Sequence, residues 1–309
     1  MGRRNTVVCN ATHRQYQQMA RINMPTVTIN PTKAISILLP TRDRAEVSFT
    51  SLKTLVETSD NIRDIEFLVA IDNDDDASAE YYQNVVVPWF EEHEIDLTVY
   101  QVPRWGYGDL NQYINYLGMN STGRWLIFWN DDAKMESRGW DTEVVSHDGE
   151  FKILRFTDNH NDHPYAIFPI VPRDWLILFE TLSPQQQTDA WISQVAYLAD
   201  AVERLKSRCI HDRADLTGNN DDTVYQTRVY HEGNPDNPKD LNYPTFHVMK
   251  QQWAIKLVWI RKLLGQDTGY WDRVSAGEMD PWTRMLENDP NNQISVTKVS
   301  KEKFEKLGL

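Results

Sequence analysis

From Ala34 onward the chain alternates short apolar runs with longer stretches in which apolar residues recur every three or four positions. "ISILL" is followed by a helical pattern from about Ala45 to Thr58, and "IEFLVAI" by another from about Ser78 to Glu92. "DLTVYQV" precedes a third helical pattern over "DLNQYINYLGM", after which come the strand candidates "RWLIFW", "FKILRF" and "YAIFPIV". Continuous aliphatic runs belong to strands buried on both faces, and their alternation with helices predicts an α/β fold with a mostly parallel central sheet flanked by helices. In "TDAWISQVAYLADAVERL", residues Trp191, Val195, Leu198, Val202 and Leu205 fall at steps of four, three, four and three, which predicts one amphipathic helix.

The same pattern divides the chain. Residues 1–33 are polar, lack a sustained period and carry Pro25 and Pro31, which favour an extended N-terminal arm. Residues 34–225 hold the α/β alternation. Residues 226–309 open on the loop "HEGNPDNPKDLNYP" and continue into a helical C-terminal extension. There "QQWAIKLVWIRKLL" is predicted to lay a Trp and Leu face on the core, with an oligomer contact as the alternative. No internal repeat is visible.

Composition narrows the classes of partner. With 40% hydrophobic and 25% charged residues over 309 positions, the chain is rich enough in apolar residues to fold. A net charge of −13 without a compensating Lys/Arg run argues against nucleic acid and anionic lipid surfaces. No apolar run approaches the roughly 20 residues of a membrane span, and "MGRRNTVVCNATHRQ" lacks the apolar middle of a signal peptide. A cytoplasmic protein is expected, with Cys9 and Cys209 as free thiols and the sequons at Asn10 and Asn120 idle.

Candidate chemistry gathers where strands end. The first strand closes in "LLPTRDR", the second in "VAIDNDDD", and a later one in "WLIFWNDDA". In open parallel sheets ligands bind outside the carboxyl ends of strands, at the point where strand order reverses, so these three loops are expected to share one crevice. The run Asp72–Asp76 imitates the start of a calcium loop but has Ala77 and Gln83 where Gly and Glu are required. Asp74 to Asp76 are therefore read as a solvated acidic turn, while Asp72, ending an apolar strand, can point into the crevice. Asp131 and Asp132 are either a cap or turn, or a pair whose mutual repulsion a divalent cation relieves. His211 is a structural histidine or, if the fold returns it to Asp132, a ligand. "DNHNDH" from Asp158 to His163 competes for the metal role or forms a surface loop.

The succession "ISILLPTRDR", "FLVAIDNDDD", "GYGDLNQYINYL" and "WLIFWNDDA" resembles the nucleotide-binding half of glycosyltransferases of the GT-A fold, especially the family 2-like group. The resemblance covers about Ala34 to Asp141. It implies a nucleotide-diphospho-sugar transferase, a donor such as a UDP- or GDP-sugar, a glycan or other hydroxyl acceptor, and Mn2+ or Mg2+ as cofactor. By the same resemblance Pro40, Thr41 and Arg42 line the base and ribose site. Asp72 contacts the base, although Asn73 stands where the family usually has a second Asp, so either is open for that contact. Gly106 and Gly108 let the backbone approach the nucleotide, and Asn111 lies near the sugar. Asp131 sits near ribose and metal, and Asp132 and His211 ligate the metal. In the second half Asp189 is the implied general base, with helix capping by Asp189 or Thr188 as its structural alternative and Asp212 and Asp215 as competitors. Trp175 is placed to stack on an acceptor sugar. One base and no evident nucleophile favour inversion.

Two other classes are consistent with this pattern. A nucleotidyltransferase shares the sheet and metal-held phosphates, but usually has a Gly-rich loop after its first strand, and "PTRDRAEVS" has no Gly. A non-catalytic nucleotide- or carbohydrate-binding module fits the abundance of Trp.

Overall fold

The computed structural model describes residues 7–8, 30–159, 166–212, 244–266 and 276. Cys9, Asn10, His160 to His163, Asp215, the loop from residue 226 and residues 267–275 and 277–309 lie outside the described residues. In chain order the elements are β1 (Val7–Val8), β2 (Lys33–Thr41), α1 (Ala45–Thr58), β3 (Ile65–Asp72), α2 (Asp76–Tyr81), α3 (Val87–Glu92), β4 (Asp96–Val102), α4 (Leu110–Asn120) and β5 (Gly123–Phe128). There follow β6 (Ala133–Met135), α5 (Trp140–Val145), β7 (Ile153–Thr157), β8 (Pro169–Pro172), α6 (Arg173–Phe179), α7 (Thr188–Leu198), β9 (Val202–His211) and α8 (Pro244–Leu263).

The strands form one sheet in the order β1-β4-β3-β2-β5-β8-β7-β9-β6. From β1 to β5 all neighbours are parallel. Beyond β5 the sheet is mixed: β8 runs antiparallel to both β5 and β7, β7 pairs parallel with β9, and β6 closes antiparallel on β9. This is the mostly parallel, helix-flanked sheet that the sequence predicts, with a helix in the C-terminal extension.

The central strands are apolar throughout because both faces are covered. Ile35, Ile37, Leu39, Phe67, Val69, Ile71, Trp125 and Ile127 pack on the side of α1, while Leu38, Leu68, Ala70, Leu126 and Phe128 pack on the side of α4 and α7. Adjacent residues of one strand thus serve two cores. Among the described residues no helix is long and apolar enough to cross a membrane.

Three local expectations are corrected. The helix predicted over residues 78–92 is interrupted by a wider π turn at Tyr82–Val86. Pro88, at the start of α3, supplies no N–H to continue the regular ladder. The helix predicted from Trp191 through Leu205 stops at Leu198, and Val202 and Leu205 belong to β9. Within β9 the buried positions Leu205, Ser207, Cys209 and His211 alternate with exposed Arg204, Lys206 and Arg208, a period of two that small polar residues obscure in the sequence. The buried guanidinium of Arg261 on α8 donates to the carbonyls of Ala199 and Asp200 at 3.1 and 2.9 Å, satisfying the end of α7. Third, Asp74 to Asp76 are not one solvated turn: Asp75 is buried and caps α2, accepting from Ser78 N at 3.1 Å. It also accepts from Asp43 N at 2.7 Å, which the loop after β2 requires.

Candidate functional site

The chain leaves β2 for β3 and β4 on one side, then returns to place β5 on the other. Strand order reverses at β2, so the loops after β2 and β5 leave the sheet side by side. Trp129 N donates to Leu38 O at 3.0 Å, extending the pairing to the edge of the crevice. Ser51 on α1 fixes the next turn: its hydroxyl accepts from the Trp129 indole at 2.8 Å and lies 3.0 Å from Asn130 O. The acidic pair that follows is therefore held on a rigid seat.

Asp132 is 8% exposed and its Oδ1 lies 3.2 Å from His211 Nε2. The contact follows from register, because Ala133 of β6 pairs with His211 of β9 and Asp212 N donates to Asp132 O at 2.9 Å. Asn159 brackets the same histidine, accepting from His211 N at 2.8 Å and donating to His211 O at 3.1 Å. The described part of "DNHNDH" thus supports His211. Asp131 accepts from Thr41 Oγ1 at 3.1 Å, and Arg44 reaches Asp131 at 3.0 Å and Asp132 at 3.8 Å. Burial alone would raise the Asp132 carboxyl, but His211 and Arg44 outweigh it and hold the group below the usual carboxylate range.

On the other side of the crevice Asp72 is 3% exposed. One oxygen accepts from the Tyr113 hydroxyl and the other from Arg42 at 3.0 Å. Here burial prevails over both partners, and the carboxyl is raised. The Tyr113 oxygen also accepts from Trp105 N and Gly106 N, each at 3.0 Å, so one phenol ties β3 to the loop before α4. Arg42 additionally pairs with Asp43 at 3.3 Å and with Asp74, which Arg104 also reaches at 3.3 Å. Asp43 has a left-handed backbone, φ 56°, and this turn sends Arg42 toward β3 and Arg44 toward β5.

The remaining predicted residues are distributed as follows. Pro40 pairs with Ala70 inside the sheet, and Asn73 is exposed at the end of β3, its N–H bonded to Val102 O at 2.7 Å. Gly106 has φ 75°, the left-handed conformation that glycine accepts without strain. A Cβ on Gly108 would meet only Gln186 Oε1 at 3.7 Å, an ordinary contact. Asn111 is buried and donates to Ser183 O at 3.3 Å, a bond that Asn115 reinforces at 2.8 Å. These amides anchor the segment before α7, whose N-cap is Gln187 and in whose first turn Asp189 lies half-buried. Asp212 is paired with Lys134 at 3.1 Å.

Trp175 requires correction as an acceptor platform. It is 0% exposed, meets Phe179 and Trp253 edge-on at 4.8 and 5.9 Å, and donates its indole N–H to Leu182 O at 3.2 Å. A ring enclosed in this way presents no face to a sugar. Sequence reading also passed over Arg44 and Tyr113, and took Asn159 only as part of the "DNHNDH" cluster, not as the partner of the His211 backbone. Only the spacing of Arg42 and Arg44 in "PTRDR" carried a signal, two cations flanking a turn.

Among the described residues no group of three or more His, Cys, Asp or Glu is arranged to hold a metal by itself. Asp132 and His211 supply two donors. A hard cation that keeps several waters and binds substrate phosphates fits such a sparse set.

No protein-family model and no curated protein sequence matches the chain. Several solved structures are similar. One is the mannosyltransferase PcManGT from Pyrobaculum calidifontis in complex with GDP-Man and Mn2+, at 15% identity and TM-score 0.47, covering 90% of this chain and 88% of that one. Another is S. aureus TarS 1-349 in complex with UDP-GlcNAc, at 11% identity and TM-score 0.49, covering 82% of this chain and 80% of that one. A longer S. aureus TarS structure aligns at 13% identity and TM-score 0.47 over 59% of this chain, which spans only 37% of its length. At this distance no residue's role transfers from them.

Proposed function

We propose that the chain is a glycosyltransferase that uses Mn2+ or Mg2+ and moves a hexosyl group from a nucleotide-diphosphate donor to a hydroxyl of a glycan or other acceptor, with inversion. The observation that supports the reading most directly is the strand-order reversal at β2, beside which buried Asp132 faces His211. Five carboxylates, of Asp43, Asp72, Asp74, Asp131 and Asp132, meet the guanidiniums of Arg42, Arg44 and Arg104 there. That excess of negative charge repels a diphosphate by itself, and a divalent cation would offset it and offer the phosphate oxygens a local positive charge.

In this reading Thr41, Arg42, Asp72 and Asn73 face the nucleoside, and Asp131 lies toward the ribose. Asp132 and His211 would hold the cation, which supplies positive charge to the leaving diphosphate when bound. Asp189 takes the acceptor proton. The acceptor oxygen bonds to the anomeric carbon as the bond from that carbon to the diphosphate oxygen breaks, and the proton passes to the Asp189 carboxylate. General base assistance of this kind contributes about 10²–10⁴-fold.

The test is a thermal-stability screen of UDP, GDP and other nucleoside diphosphates in Mn2+, followed by a transfer assay with the stabilising nucleotide's sugars. Stabilisation together with product, lost in Asp132→Asn, supports the assignment. Stabilisation without product leaves a binding module, and wild-type turnover by Asp132→Asn removes the central role given to that residue.

A further inference from the structure

The apolar residues of α8 lie on two sides of the helix, and the core takes only one of them. Trp253, Ala254, Leu257 and Val258 are buried, and Trp253 stacks on Phe179 at 4.1 Å and meets Trp191 edge-on at 5.2 Å. At about 3.6 residues per turn, Val248, Ile255, Trp259 and Leu263 fall together on the opposite side. Val248, Trp259 and Leu263 are exposed there at 56%, 41% and 71%, and Leu264, just past the helix, is exposed as well. Exposed Lys256 and Lys262 border this stripe, one on each side. Neither lysine forms an ion pair among the described residues. From residue 244 to 266 the sequence has no Asp or Glu, in a chain of net charge −13. The helix is also firmly seated: Arg261 binds the carbonyls of Ala199 and Asp200, Lys250 donates to Gln194 Oε1 at 2.6 Å, and Gln266 accepts from Phe151 N at 2.7 Å. The outer stripe is therefore presented without further ordering of the backbone.

We propose that the outer face of α8 docks the protein on an anionic lipid bilayer, independently of the cation site and the transfer reaction. Exposed apolar stripes with a polar border mark contacts with proteins or membranes, and here the charges choose between them. A second copy using the same face would bring the lysines of both helices together with no acid on either to offset them. Lysines flanking an apolar stripe match the boundary of a bilayer instead. Their stems lie along the acyl layer while the ammonium groups reach lipid phosphates, and Trp259 and Leu263 enter between the headgroups. Charges elsewhere on the protein are screened over about 8 Å at physiological salt, so its overall acidity does not cancel attraction at this face. That acidity does disfavour approach by the acidic faces, which gives the docked molecule an orientation.

The experiment is co-sedimentation of the full chain with vesicles of phosphatidylcholine alone and of equimolar phosphatidylcholine and phosphatidylglycerol, at low and physiological salt. Wild type should bind the mixed vesicles more tightly than the neutral ones, and salt should weaken that preference. Lys256→Gln combined with Lys262→Gln should lower binding to mixed vesicles by about thirtyfold, at about 1 kcal/mol per charge, and leave neutral vesicles unaffected. Trp259→Ser combined with Leu263→Ser should lower binding to both by about tenfold or more, while Trp259→Phe, which keeps an apolar ring, should retain it. All four positions are exposed, so melting temperatures should match wild type. Absence of wild-type binding to mixed vesicles at low salt overturns the proposal, as does unchanged binding by both double variants. A wild-type dimer in sedimentation velocity that Trp259→Ser with Leu263→Ser dissolves, without vesicle binding, also overturns it and assigns the face to a second copy.

Discussion

Asp72 and Asp132 are two carboxylates of one crevice, nearly equal in burial, whose acidities move in opposite directions. Asp72 ends β3 between the Tyr113 phenol and Arg42, and burial dominates. Asp132 follows β5 beside His211 and Arg44, and those partners overcome burial. Burial by itself does not assign a role to an acid; the groups facing it do. The β5 side keeps its carboxylate ionised and is suited to a cation. The β3 side is a hydrogen-bonding corner, braced by a tyrosine that also fixes the next loop, and is suited to a neutral polar group such as a base or ribose.

The contrast is broken most directly by kinetics. Asp132→Asn should lower kcat by about 10²–10³-fold, the scale of removing one transition-state charge contact, while Asp72→Asn should mainly weaken donor binding, by about tenfold. Equal losses in kcat from both variants, in a transfer assay, would show that the two sides do not divide the work. Next in size is ligand linkage: a nucleoside diphosphate at 100 times its Kd in Mn2+ should add about 2.7 kcal/mol to unfolding stability. Chelation should remove most of that gain in wild type and in Asp72→Asn, whereas Asp132→Asn should show little to remove. Tyr113→Phe should cost about 1–3 kcal/mol in chemical denaturation, because two backbone N–H groups and the Asp72 carboxyl lose one shared hydroxyl.

The smallest effect is also the most diagnostic, a reversal of pH dependence. The Asp132 carboxyl is depressed in the fold, so its contribution is present above the unfolded carboxylate range and lost as pH falls through the folded value. The Asp72 carboxyl is raised, so its contribution is full below the unfolded range and lost as pH rises through the folded value. In metal-free buffer the stability difference between wild type and Asp132→Asn should shrink on acidification. The difference for Asp72→Asn should move the other way. Denaturation curves at a series of acidic pH values decide whether the signs are opposed.

The two halves of the sheet were not equally legible. From β2 to β5 each apolar run is a strand, and the polar residues that end those runs meet in one crevice, because a parallel sheet buries its strands on both faces and puts their carboxyl ends on one side. The second half carries its signals in tertiary pairing. The apolar spacing from Trp191 to Leu205 mimics one helix, yet β9 begins at Val202 and its inward side includes Ser207, Cys209 and His211. Trp175 reads as an exposed aromatic only until α8 is packed over it through Trp253.

By itself the sequence determined the α/β class, the positions of the central strands and the acidic loops at their ends, because periodicity and strand termination are local properties. Tertiary structure decided the rest: that His211 stands against Asp132, that Arg44 pairs with Asp131 and that Tyr113 braces Asp72. Those relations join residues dozens of positions apart, and they are set by strand order, register and one left-handed turn at Asp43, none of which is written in any local pattern of the chain.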